Sequence, residues 1–418
     1  MKYAVLGFGN RGYGYSQHMK NDGRAQMVAV CEKNAGRKET AVREFGISPD
    51  MFFTDETEFF AKGKLCDLLI ISTQDTDHYG HALQALEVGY DLLLEKPIAE
   101  TYEKCRAIYD KAEEKGCRVF VCHVLRYAPL FRTVKEELAT GKYGEVMTIN
   151  LTENVEFHHQ CHSYVRGNWA VCEASTPMII AKCCHDTDMI SWWMGHKPCV
   201  SVSSYGDLTY FNKEHAPEGA TKYCFECPHK TTCPASAITI YGKHPEWLRP
   251  CVSDYRLLEN RAFVDDLMRD KSNPYARCVF HCDNTAVDHQ VVNMQFAGGA
   301  TAHLTMTAFS TNGGRDFHIH CTNGDIIAFN NTLYLKTYGD TFEEGEVRTV
   351  DIGALIEGQY GHGGGDSRMI RDMIDIFENN GGSELTTIGV SLQSHAIGFA
   401  AEESRKAGGK AIVPDCVI

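Results

Sequence analysis

Lys2-Tyr3-Ala4-Val5-Leu6-Gly7-Phe8-Gly9-Asn10-Arg11-Gly12 runs from a short apolar stretch into a G-x-G-x-x-G pattern. The pattern alone is weak, because glycine triplets also occur in ordinary turns. Its surroundings make it specific. A stretch able to be helical follows through about Asn21, then a second apolar run, Met27-Val28-Ala29-Val30-Cys31, closes on Glu32, which stands 20 positions beyond Gly12. Strand, glycine turn, helix, strand and acidic residue in this order predict a dinucleotide-binding βαβ unit. Gly7 permits the tight turn, Gly9 lets backbone approach a pyrophosphate, and Gly12 lets helix and strand pack closely. The helix N-terminus then faces the phosphates. Glu32 can accept both hydroxyls of an adenosine ribose and would repel a 2′-phosphate, so NAD is expected over NADP.

Outward from this unit the alternation continues. Asp67 to Thr73 reads as a buried parallel strand, Asp77 to Gly89 as a helix, and Asp91-Leu92-Leu93-Leu94 as a strand ending in Glu95-Lys96-Pro97. A helix near 101–115 leads to Arg118-Val119-Phe120-Val121-Cys122 and then Leu125-Arg126-Tyr127-Ala128-Pro129. Ligands of a doubly wound sheet sit outside the carboxyl ends of its strands. Residues 72–78, 95–97 and 123–127 are therefore expected to converge on one crevice. The cofactor-binding candidates are Gly7, Phe8, Gly9, Asn10, Arg11, Gly12, Glu32, Ser72, Thr73, His78, Glu95, Lys96 and Arg126.

The chain has 418 residues, enough for two or three domains with ample core, and 43% hydrophobic against 23% charged residues is ordinary globular composition. With 41 Lys+Arg and 55 Asp+Glu the formal net charge is −14. An acidic surface without a basic patch predicts neither nucleic acid nor membrane as partner. No stretch approaches the roughly 18 apolar residues needed to span a bilayer, and the chain opens on a strand pattern without a cleavable apolar segment. The cytoplasm is the expected compartment. There the 18 cysteines stay reduced, clusters of them read as metal or catalytic sites, and scattered ones as small buried residues.

Gly7 to Gly12, Glu95-Lys96-Pro97, Arg126-Tyr127-x-Pro129, Gly141-Lys142-Tyr143-Gly144-Glu145-Val146 and His185-x-x-Asp188, in this order, resemble the glucose-fructose oxidoreductase, inositol dehydrogenase and MocA (Gfo/Idh/MocA) superfamily. The resemblance covers essentially the whole chain. It implies an α/β protein: a Rossmann doubly wound parallel sheet over residues 1–125, then a substrate-binding α+β domain over 126–418 with a large open, mostly antiparallel sheet. It also implies NAD, a small-molecule carbohydrate substrate, and a homodimer or homotetramer. The pattern agrees independently: Val291 to Thr307 alternates around Ala297-Gly298-Gly299, Phe317 to Lys336 holds an Asn323-Gly324 turn, and residues 366–378 and 391–407 read as helices. The C-terminal helices thus occupy about 366–407, and a cysteine-rich insertion about 215–260.

Lys96 before a proline sits at a stiffened strand end, where it can hydrogen-bond a substrate hydroxyl and stabilise a developing alkoxide. The resemblance assigns it that role. His185 and Asp188, three apart, share a helix face, which suits a base and an orienting carboxylate. Relatives usually carry an aspartate four residues before this histidine; here Ala181 stands there, with Lys182 beside it, so Lys182, Asp186 or Tyr164 is expected to substitute. The segment His158 to Trp169 is dense in hydrogen-bonding and aromatic groups, and His162, Tyr164, Arg166, Asn168, Trp169 and Asp188 are the substrate candidates; the same histidines raise a metal site as an alternative. Catalytic candidates are Lys96, His185, Lys182 and Tyr164. Gly361 to Asp366 either brings His362 and Asp366 to the crevice or is only a connection.

Cys224-x2-Cys227 with Cys233 has the spacing of a metal knuckle. Cys251, Cys278, Cys282 or a histidine such as His229 could supply a fourth ligand. Cys278 and Cys282, four apart on a strand-like run, could point the same way, and Cys282 completes the expected set, with structural zinc preferred to an iron–sulfur cluster. Three activities are consistent with these features. The first is hydride transfer between NAD and a ring hydroxyl of a sugar, inositol or glycoside. The second is a redox-neutral glycosidase working through a 3-keto intermediate and elimination. The third is a non-catalytic NAD-binding sensor.

Overall fold

The computed structural model describes residues 1–340, 344–356, 361–379 and 386–415. Six strands, β1 (Lys2–Leu6), β2 (Gln26–Cys31), β3 (Phe52–Phe53), β4 (Leu68–Ile71), β5 (Asp91–Leu94) and β6 (Val119–Val121), form a parallel sheet in the order β3-β2-β1-β4-β5-β6. All four residues of β4 are buried, as are the last four of β1. A sheet covered by helices on both faces buries both sides of each strand, which is why these strands read as unbroken apolar runs. The strand order reverses between β1 and β4, and a crevice at the carboxyl ends of these two strands is where such sheets bind ligands.

Eight further strands form a second sheet: β7 (Val146–Asn154), β8 (Cys199–Asp207), β9 (His289–Phe296), β10 (Thr301–Thr307), β11 (Gly314–Cys321), β12 (Gly324–Phe329), β13 (Thr332–Tyr338) and β14 (Glu344–Asp351). Their order is β14-β13-β12-β11-β7-β10-β9-β8, antiparallel except where β10 runs parallel to β7. Both hairpins read from the sequence form, with Gly298 and Gly299 at φ 86° and 91° in the first. One face packs on the fully buried helix Cys184–Trp193; alternate residues on the other face are only partly covered.

The two C-terminal helices do not stay with the second sheet. Met369, Ile370, Met373 and Ile374 of helix Gly365–Asn379 pack with Tyr3, Val5, Leu68 and Ile70 of the parallel sheet. Helix Ile388–Lys406 is shared: Ile388 and Leu392 enter the core of the first domain, while Ile397, Ala400 and Ala401 enter that of the second. A division at residue 125 follows chain order, whereas an apolar helix stripe does not announce which sheet it will cover.

The insertion lies between β8 and β9 and is larger than the 215–260 stretch suggested. It has its own core of Phe211, Tyr241, Leu248, Val264, Met268 and Phe280, reached by Cys161 and Val165 from the second domain. The expected strand around Cys278 and Cys282 is instead a turn, Val279–His281, held between buried aromatic residues.

Ile370→Ala, which removes a fully buried side chain from beneath β1 and β4, should destabilise the protein by about 2–5 kcal/mol. Urea unfolding with and without NAD checks this: the loss should fall in the transition that the nucleotide stabilises.

Candidate active site

Gly7 turns the chain at the end of β1 with φ 89°, and a Cβ there would meet the Ser72 carbonyl oxygen at 2.6 Å. A Cβ on Gly12 would lie 2.2 Å from the Gly7 oxygen. Helix Asn10–Asp22 starts without a side-chain cap or an acidic residue in its first turn. Its first N–H groups, positioned by this crowded turn, suit a diphosphate. Phe8 is buried edge-on against Tyr13 and Phe45 and contributes its carbonyl, which accepts from Arg37 Nη1 at 3.2 Å. Glu32, at the end of β2, accepts from the Asn34 N–H at 2.8 Å and from Arg37 Nη1 at 3.1 Å. Ser72 donates to the Gly7 carbonyl at 2.8 Å, Thr73 Oγ1 lies 3.0 Å from His81 Nδ1, and His78 Nδ1 lies 2.8 Å from the Pro97 carbonyl.

An arm of the insertion reaches this nucleotide end. Arg249 Nη1 donates to Asn10 Oδ1 at 3.4 Å, Ser253 Oγ to Asn34 Oδ1 at 3.0 Å, and the Tyr255 ring meets Tyr13 edge-on at 5.2 Å. The arm therefore spans from the helix N-terminus to the loop after β2.

Across the crevice, Lys96 follows β5 in a cis Lys96–Pro97 linkage. Its Nζ donates to the Ala181 carbonyl at 2.8 Å and lies 5.7 Å from the Trp169 ring centre. Position 181 thus serves through its backbone. Glu95 accepts from Arg11 Nε at 2.7 Å, from the Tyr15 hydroxyl and from the Lys96 N–H at 2.9 Å. Burial alone would raise its pKa, but Arg11 and Lys96 hold it below the usual carboxylate range. Arg11 also donates to Asp366 at 2.8 Å, and His362 Nδ1 lies 3.1 Å from the same carboxylate, so Gly361 to Asp366 does come to the crevice.

His185 is 4% exposed and its ring centre lies 5.9 Å from that of His362. Burial, then the charge of Lys96, push its pKa well down. It is neutral at pH 7 and able to accept a proton. Among the described residues its Nδ1 has no hydrogen-bond partner, so no carboxylate orients it through that atom. Lys182 pairs with Glu153 at 3.3 Å, and Arg315 bridges Glu153 (2.8 Å) and Asp186 (2.7 Å). Burial followed by the opposing pull of Arg315, with Glu153 adding to the rise, leaves the Asp186 carboxyl above its ordinary pKa. Tyr164 packs 5.9 Å from both Trp169 and His159, and burial raises its phenol. Trp169 Nε1 and Thr176 both donate to Asp75, at 3.0 and 2.6 Å.

Six expected site residues lie outside this group. Asp188 is taken by Arg126 in a bidentate pair, 2.7 Å on each side, and both are almost wholly enclosed. Arg126 also stacks over Trp192. These two therefore brace helix Cys184–Trp193. His162 and Arg166 turn into the insertion: His162 Nδ1 lies 3.0 Å from Tyr241 Oη and stacks on Tyr275, while Arg166 donates to the Arg277 and Ala235 carbonyls at 2.7 and 2.6 Å. Both sit on the π-helical stretch Gln160–Arg166, whose wide turn sends His162 and Arg166 one way and Tyr164 another. Asn168 is exposed. Cys282 is held by the Cys278 carbonyl at 3.3 Å. Among the described residues, the one group of His, Cys, Asp and Glu whose ligand atoms all lie within 4.8 Å of one another is His318, His320 and Asp325 on the second sheet.

Sequence reading missed Glu153, Arg315, Asp75, His159 and Arg249. Glu153 and Arg315 are neighbours in the β7–β11 register, a pairing visible only once strand partners are known. His159 was in view beside His162, but the π-helical turn decides which of them faces the crevice.

Residues 1–123 match the family described as Oxidoreductase family, NAD-binding Rossmann fold, and residues 135–413 its C-terminal alpha/beta domain. The chain is 26% identical over 368 residues to YteT of Bacillus subtilis, covering 84% of this chain and 80% of that protein. It is 28% identical over 146 residues to scyllo-inositol 2-dehydrogenase (NAD(+)) of the same organism, covering 35% and 42%. Among solved structures, levoglucosan dehydrogenase with NADH and levoglucosan superposes with TM-score 0.71 at 18% identity over 100% of both chains. An inositol dehydrogenase homolog from Azotobacter vinelandii, with NADH and myo-inositol, does so with TM-score 0.65 at 15% identity over 99% and 97%.

Burial holds His123 at a pKa of about 4 and His395 at about 3, against 6.5 for a free histidine. The unfolded chain takes up these protons as pH falls below 6.5 while the folded chain does not. Each group therefore removes stability at about 1.4 kcal/mol per pH unit between about pH 6.5 and its folded pKa. Denaturant midpoints measured between pH 7 and 4.5 should fall steeply, and His123→Gln should make that fall shallower.

Proposed function

Since the chain belongs to the Gfo/Idh/MocA oxidoreductase family, we propose that it transfers hydride between NAD and a ring hydroxyl of a sugar, an inositol or a glycoside. The observation that carries this reading is the Lys96 ammonium, held by the Ala181 carbonyl over the Trp169 ring, with its charge felt by the buried His185. Gly7 to Gly12 and the uncapped helix N-terminus fit the diphosphate, and Glu32 fits the adenosine ribose. NAD supplies the hydride acceptor, and the residues of this chain orient the substrate and move its proton. Lys96 donates a hydrogen bond to the reacting oxygen and stabilises the charge that grows on it. His185 accepts the hydroxyl proton. Trp169, Tyr164 and His159 offer faces and donors suited to a polyhydroxylated ring, and Arg249 reaches the first turn of the phosphate-binding helix. The partly covered face of the second sheet is the surface through which a homodimer or homotetramer would form.

One feature favours a second reading, redox-neutral glycoside cleavage. The arm of Arg249, Ser253 and Tyr255 encloses the nucleotide end, and an enclosed NADH can return its hydride within one turnover. His159, which burial keeps neutral, then stands as a further base for the elimination step.

A sugar and glycoside panel, followed by NADH absorbance with aglycone release in parallel, tests both. Stoichiometric NADH supports the dehydrogenase; aglycone with no net NADH supports cleavage; NAD binding without either on the whole panel leaves a sensor. Lys96→Met and His185→Ala should each lower kcat/KM by about 10²–10⁴-fold with NADH affinity little changed, and full turnover in both would overturn the assigned roles. Glu32→Ala frees Arg37 and should shift the preference from NAD towards NADP, read as the ratio of their kcat/KM values.

A further inference from the structure

We propose that Cys224, Cys227, Cys233 and Cys278 hold one divalent ion of the zinc class, with Arg166 as its buried counter-charge. The four cysteines line one partly open space of about 10 Å³ in the insertion. Cys224 and Cys227 lie on a knuckle in which the Cys227 N–H donates to the Cys224 carbonyl and the Lys230 N–H to the Cys227 carbonyl, each at 3.2 Å. The Cys233 N–H is fixed by the His229 carbonyl at 2.8 Å. Cys278 comes from far along the chain: its N–H donates to the Lys222 carbonyl at 2.9 Å, beside the bridge between Tyr223 and Arg277. This pairing makes Cys278 the fourth ligand. Cys282 faces the Cys278 carbonyl and does not line the space, and Cys251 is directed at Asn273.

Arg166 points to the ion independently. Its side chain is 1% exposed, Nη2 lies 3.7 Å from Cys224 Sγ, and Nη1 is buried with no hydrogen-bond partner. Among the described residues no carboxylate pairs with it. A guanidinium cannot shed its proton, and burying it without an anion is strongly unfavourable. The group able to become negative that its Nη2 faces is the Cys224 sulfur. Neutral thiols leave the cation uncompensated. Four thiolates around a divalent ion carry 2 − 4 = −2, with Cys224 presented to Arg166, and this restores the balance. A space of about 10 Å³ is about one water-sized sphere, room for a single ion.

No three of these sulfurs lie within 4.8 Å of one another, so ion binding draws them inwards and is coupled to ordering of the insertion. Cys224 shares the insertion core with Tyr241 and Leu248, the latter adjacent to Arg249. The ion therefore sets the arm that meets Asn10, Asn34 and Tyr13.

Elemental analysis of the full chain, purified without chelator, should find about one zinc per chain and no stoichiometric iron. Cobalt(II) in its place should give the visible bands of a tetrahedral tetrathiolate site. Cys278→Ser should lose the ion and those bands, and Cys282→Ser should keep both. If Cys278→Ser does not fold, the intact chain and Cys282→Ser still decide. Removing the ion with a chelator should open the insertion to limited proteolysis and weaken NADH binding several-fold. Absence of bound metal even after titration with zinc, iron with inorganic sulfide, or loss of the ion in Cys282→Ser would each overturn the proposal. None of these readouts uses turnover, so they stand or fall apart from the oxidoreductase reading.

Discussion

One cation, its side chain 34% exposed, joins the three segments that the site is made from. Arg11 lies in the glycine turn, and its guanidinium is divided between Glu95 at the end of β5 and Asp366 at the head of the returning helix. The two carboxylates are the buried charges, and without Arg11 both would be left uncompensated. Lys96 inherits its place from this arrangement, since Glu95 is anchored by Arg11 and in turn accepts the Lys96 N–H at 2.9 Å. His362 is set by the same Asp366. The nucleotide turn, the lysine that polarises substrate and the histidine pair at the crevice thus share one electrostatic hub.

What could be read in the sequence follows from how local each signal is. The glycine turn, Glu32 and the Glu95-Lys96-Pro97 strand end are local, and the parallel sheet follows from them. The hairpins at 297–299 and 323–324 are equally local, because turn geometry is written in two or three residues. Side-chain direction was not local. Asp188 has helical spacing from His185, but Arg126, 62 positions upstream, takes its carboxylate. A π-helical stretch aims His162 and Arg166 away from the crevice, and hydrophobic periodicity carries no sign of such a turn. Glu153, Arg315 and Asp186 meet through strand register and helix packing, and the sequence separates the first two by 162 residues (315 − 153).

The insertion departs most from what spacing suggested. Its aromatic and aliphatic core is built around residues of the second domain, while its arm touches the first. It therefore spans the cleft on the nucleotide side much as Trp169 and Thr176, bonded to Asp75, span it on the substrate side. Two crossings at separate points oppose relative rotation of the domains. A crevice so restrained keeps Lys96 and His185 in register without asking either to sit in a strained conformation.

Helix Gly365–Asn379 completes the core beneath β1 and β4 although some 240 residues separate it from the last strand of that sheet. A ribosome releases the nucleotide-binding strands long before it releases this helix, and domains commonly fold as they emerge. Until then Tyr3, Val5, Leu68 and Ile70 have only part of their cover, from residues such as Tyr15 and Met19. The amino-terminal half must wait on the tunnel with an apolar face partly open, which makes the nascent chain a natural client for chaperones. It also means that a product ending before this helix keeps that face incompletely covered.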